Sequence, residues 1–105
     1  MTNSQRKGKN GELELCRWLR DRGHHARRGR QFSGSPDSPD VVCESLPGIH
    51  IEVKRCERLR IHDAIEQATA DSGPKVPLVA HRRNRNDWLA ILRLSDLIDL
   101  LERRP

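Results

Sequence analysis

The chain has 105 residues and a formal charge of +5, and only 34% of it is hydrophobic, with one Phe and no Tyr. That length predicts a single domain, 1–105, with a small core of Leu, Ile, Val and Ala. No apolar run approaches the ~18 residues of a membrane span. Cys16, Cys43 and Cys56 are odd in number and include no CxxC, which argues against a disulfide framework or a zinc knuckle.

The first predicted element is a helix over 8–22, closed by Gly23. Leu15, Cys16 and Leu19 form its apolar face. Glu12 falls on the same face, three residues before Leu15 and four before Cys16. A carboxylate on the buried side of a helix needs a partner. A short strand over 25–28 follows, then the loop RGRQFSGSPDSP. Strands over 40–44 and 49–54 are joined by SLPG. The second of them, IHIEVK, alternates: Ile49, Ile51 and Val53 face one way, and His50, Glu52 and Lys54 the other. A helix over 61–71 carries Ile61, Ala64, Ile65 and Ala68 at helical spacing. PLVAHRR and WLAIL read as a second strand pair around the turn NRND. A last helix over 96–103, N-capped by Ser95, is expected to bury Leu97, Leu100 and Leu101. The order predicts a mixed α/β domain with helices covering a central sheet.

The register of the 40–54 hairpin follows from its apolar phase. Val41 and Cys43 share a face with Ile49, Ile51 and Val53, so even positions pair with even ones. With a short loop Asp40 comes opposite Glu52, their Cβ atoms ~5 Å apart. Two ionised carboxylates there repel, and the arrangement calls for a cation or a raised pKa. A hard divalent ion, Mg2+ or Mn2+, takes oxygen ligands and keeps several waters, one of which it acidifies for attack on phosphorus. Lys54, on the same face, is placed to orient that water or to stabilise developing charge, and Glu12 to add a ligand.

At these residues the chain resembles the PD-(D/E)XK nuclease superfamily, and within it the archaeal-type Holliday junction resolvases and their small phage relatives. The motifs are RKGKNGELEL, RGRQFSGSPDSPDVV, IHIEVKR, IEQA and PLVAHRRNRNDWLAIL, spanning about 6–92. The resemblance implies a restriction-endonuclease-like fold, a mixed central sheet flanked by helices. It implies Glu12, Asp40 and Glu52 as metal-site carboxylates and Lys54 as the catalytic lysine. It also implies Ser33 or Ser35 in a serine-containing active-site loop and Gln67 as a support from the following helix. The repeat SPDSPD makes Asp37 a rival to Asp40; strand phase favours Asp40, because Val41 follows it directly.

Basic residues cluster in the chain around these motifs: Arg6, Lys7 and Lys9, then Arg28 and Arg30, Arg55 and Arg58, and Arg82, Arg83 and Arg85. Such a set neutralises phosphates without reading sequence. The expected activity is therefore Mg2+-dependent DNA cleavage, selective for branched structure and requiring a homodimer to cut two strands. Candidate dimer surfaces are the outer face of WLAIL near Trp88 and the last helix with Leu97, Ile98 and Leu101. Alternatives are a nicking, repair or restriction-type nuclease, and a DNA-binding protein that has lost activity. Aromatics are too few for an RNA module that stacks single-stranded bases. The polar start MTNSQRKGKNGE lacks a secretory h-region, so the expected location is cytoplasmic, in a cell or in a phage-infected one.

Overall fold

The computed structural model describes residues 3–29 and 38–103. Arg30, Ser33, Ser35 and Asp37 lie outside the described residues. The elements are α1 (Asn3–Asp21), β1 (Ala26–Arg28), β2 (Val41–Cys43), β3 (Ile49–Arg55), α2 (Ile61–Ser72), β4 (Val76–Arg82), β5 (Leu89–Ile91) and α3 (Leu94–Glu102). The strands form one mixed sheet in the order β1-β2-β3-β4-β5. Every neighbouring pair is antiparallel except β3 and β4, which run parallel and are joined by α2.

α1 starts five residues before the expected 8. Its first turns are polar in sequence, and residues 6–10 are exposed, so no apolar stripe marks them, yet Gln, Arg and Lys are good helix formers. It ends where the sequence indicates. Gly23 takes a positive φ of 88°, its N–H donates to the Arg20 carbonyl at 2.9 Å, and the His24 N–H donates to Leu19 at 3.0 Å. Together these bonds satisfy carbonyls that the helix leaves open.

Leu15, Cys16 and Leu19 pack on Ala26, Val41, Cys43, Ile51 and Ala80, with Ile49, Val53, Leu78 and Trp88 around them. Cys16 is wholly buried, and burial pushes its thiol pKa up. A smaller cluster joins Ala64 and Ala68 of α2 to Val79 on the other face of the sheet. Glu52 pairs in register with Val79, so His50, Glu52 and Lys54 share the α2 face while Ile51 and Val53 face α1. Two glycines permit close approach. A Cβ on Gly11 would sit 2.8 Å from Arg55 Cβ, and one on Gly29 would overlap the carbonyl of Pro39.

Four expectations about packing and capping are corrected. Ile61 is exposed, at the first position of α2, before the helix crosses its buried stripe. α3 buries none of its residues, and Leu97 and Leu101 are exposed. Its N-cap is Arg93, not Ser95, and no side chain caps it; instead Arg93 Nε donates to Asp96 Oδ2 at 3.1 Å. Trp88 packs against the main core, so the apolar exposure of the β5 region falls on Leu89.

Candidate active site

β2 and β3 meet with Val41 opposite Ile51, which sets Asp40 against Glu52. The Asp40 N–H donates to the Ile51 carbonyl at 2.8 Å, and the Asp40 carbonyl accepts from Gly29 at 2.8 Å. The residue is thus held from both sides by main chain. Asp40 Oδ2 accepts the Val53 N–H at 2.8 Å. Burial, with the Glu52 charge, raises the Asp40 pKa from 3.8 to about 7; Lys54 and the Val53 bond act against this. Burial also raises Glu52, joined by the charges of Asp71 and Glu12, and the Asp40 carboxyl opposes the shift. Burial in a shared low-dielectric site accounts for both directions.

Two residues near this pair carried no role in the sequence. His50 is almost fully buried, and its Nε2 is bonded to Glu52 Oε1 at 2.8 Å. Strand alternation already placed it beside Glu52; its burial depends on packing. Asp71 acts on Glu52 from α2. It continues the Ala64–Ala68 stripe at helical spacing, which is the sign of it in the sequence. Gln67, expected to support the site from α2, is exposed.

Glu12 is half-buried and accepts from Arg28 Nε at 2.8 Å. That ion pair meets the need for a partner on a buried helix face. Glu12 still adds its charge to Glu52. Among the described residues no three His, Cys, Asp or Glu side chains converge as a metal cage. The protein ligands on offer are the Asp40–Glu52 pair, with Glu12 nearby.

The basic residues divide into two groups. Arg28 is held by Glu12. Glu14 Oε1 accepts from both Arg55 and Arg82, and Arg55 also donates to the Arg82 carbonyl at 3.3 Å and to Asn84 Oδ1 at 3.0 Å. These three arginines join α1 and the strands and are not freely available to a ligand. Arg6, Lys7, Lys9, Arg58, Arg83 and Arg85 are exposed. A cleft at the end of β3, lined by Lys7, Gly8 and Val53 through Cys56, brings Lys7 and Lys54 to one opening.

No protein-family model and no curated protein matches the chain. Among solved structures the chain is similar to Hjc from Archaeoglobus fulgidus, a Holliday junction resolvase from an archaeal hyperthermophile. The TM-score is 0.58 and the identity 29%, over 82% of this chain and 72% of that one. The five-stranded mixed sheet with its helices is the fold of that resolvase, and the likeness supports a resolvase-like nuclease.

Proposed function

We propose that the chain is a PD-(D/E)XK-type, divalent-metal-dependent DNA endonuclease that hydrolyses phosphodiester bonds in branched DNA and acts as a homodimer. The observation that carries this reading is the half-buried pair Asp40–Glu52, set face to face across β2 and β3, with Lys54 on the same face as Glu52. A structural role gives no reason to bury two facing carboxylates, since the arrangement costs stability.

The residues fit a hard cation. Two facing, partly desolvated carboxylates offer the oxygen donors that Mg2+ accepts, and Mg2+ completes its shell with water. Asp40 and Glu52 would hold the ion, with Glu12 at the margin. When bound, the ion supplies Lewis-acid charge stabilisation at the phosphate. Lys54 orients the attacking water or stabilises charge on the phosphate oxygens. Exposed cations, with Lys7 beside Lys54, hold the backbone in place.

The homodimer has its own support. Leu89, Leu94, Leu97, Ile98 and Leu101 are all exposed. α3 carries Asp96, Asp99 and Glu102 and no basic residue, so on a basic chain it is poorly suited to DNA and better suited to protein. Two cuts in a four-way junction require two sites related by a two-fold axis.

The test is a cleavage assay with Mg2+ on four-way junctions, flaps, duplex and single strands in parallel. The expected result is junction cleavage that Asp40→Asn, Glu52→Gln and Lys54→Ala each abolish while DNA binding persists. Full activity in a chelator, or full activity in Asp40→Asn, would overturn the proposal.

A further inference from the structure

The turn between β4 and β5 is unusually well fastened for an exposed loop. Glu57 Oε2 accepts the Asn84 N–H at 2.6 Å, and Asn84 Oδ1 accepts from Arg55 at 3.0 Å. Asn86 Nδ2 donates to the Asn84 carbonyl at 2.8 Å, and Arg82 Nε donates to the Asn86 carbonyl at 2.6 Å. The Asn86 N–H closes the turn on the Arg83 carbonyl at 3.2 Å. Among the described residues, no carboxylate is ion-paired with the side chains of Arg83 or Arg85, and both residues are exposed.

Arg85 also has a φ of 65°, the only positive φ at a non-glycine among the described residues. Gly or Asn adopts that conformation more cheaply. Asn stands on both sides of the position, yet the strained residue is Arg. Strain of this kind persists where the surroundings over-determine it, often at working sites. The brace originates at the candidate active site. Arg55 follows Lys54 directly on β3, and Glu57 lies two residues further on. The turn therefore stands at the end of the sheet where Lys54 emerges.

We propose that this turn is a preset phosphate-binding tip. Arg85, with Arg83 beside it, grips the DNA backbone away from the scissile phosphate, and Arg55 and Glu57 hold the tip in fixed relation to Lys54. The proposal rests on the nuclease reading and adds to it the element that fixes where the duplex lies.

The experiment is a binding titration of a labelled four-way junction and a linear duplex in chelator, over a salt series, with thermal unfolding of each variant. Arg85→Gly removes the charge and relieves the backbone at once, so its unfolding midpoint stays level or rises. Its affinity falls about eightfold at ~0.1 M salt, and the salt slope drops by ~0.9, as expected for one lost phosphate contact. Glu57→Ala supplies the second arm. By charge alone, removing a carboxylate tightens binding to DNA; as the loss of the brace, it weakens it. Unchanged affinity in Arg85→Gly, or tighter binding in Glu57→Ala, overturns the proposal. A wild-type chain that binds neither DNA defeats the nuclease reading as well, a result distinct from either.

Discussion

At Asp40 two main-chain hydrogen bonds fix the backbone while burial sets the proton. The carboxyl rises from 3.8 to about 7, so the folded state binds this proton more tightly than the unfolded chain does. The associated stability is fully present below about pH 4 and is lost as the pH rises through about 7, with Glu52 shifted in the same direction. For the metal-free protein, thermal unfolding should show wild type losing on the order of a few kcal/mol across that window. Asp40→Asn should remove much of the loss and be the more stable protein at pH 8. Mg2+ should restore wild type at pH 8 by mass action and do little at pH 5. A wild-type curve that is flat and parallel to that of Asp40→Asn would contradict the raised pKa of Asp40. The facing of Asp40 and Glu52 was legible because Val41, Cys43, Ile49, Ile51 and Val53 fix the phase of both strands. The partners of Arg28, Arg55 and Arg82 were not, since a long side chain's choice of carboxylate depends on tertiary distances that no spacing encodes.

Two glycines of one element separate helix propensity from packing. Gly8 has nothing within 4 Å of where a Cβ would stand, whereas Gly11 faces Arg55 Cβ at 2.8 Å. Gly8→Ala should stabilise the protein by up to ~1 kcal/mol through helix propensity. Gly11→Ala gains the same propensity but must push α1 away from β3, at a cost of ~1–3 kcal/mol. Denaturant midpoints for the two should move in opposite directions, and Gly11→Ala should also lower cleavage, since Glu12 and Glu14 ride on the same turn. The elements themselves were readable from their periods, with boundaries drifting where polar residues continue a helix. α3 shows the limit of that signal. Its stripe of Leu97, Ile98 and Leu101 is helical in spacing, but spacing does not say what the stripe packs against, and within this chain it buries none of them.

At the scale of the whole molecule, the basic turn and the Lys7–Gly8 end of α1 lie toward the end of β3, while the acidic α3 exposes Leu94, Leu97, Ile98 and Leu101. If that face joins two copies, Leu97→Glu with Ile98→Glu should give a monomer by light scattering at micromolar concentration. The variant should nick a cruciform plasmid where wild type linearises it. A wild type that is monomeric with and without junction DNA would leave only the nickase form of the activity. The buried thiols carry a separate consequence for kinetics. Cys16 and Cys43 are shut between α1 and the sheet, whereas Cys56 is partly open to solvent. A thiol reagent should therefore modify one cysteine quickly and two slowly. The slow steps wait for α1 to lift, because only the thiolate of an exposed cysteine reacts. Their rate reports how often the native protein opens along that seam, and Gly11→Ala should raise it without changing the fast step.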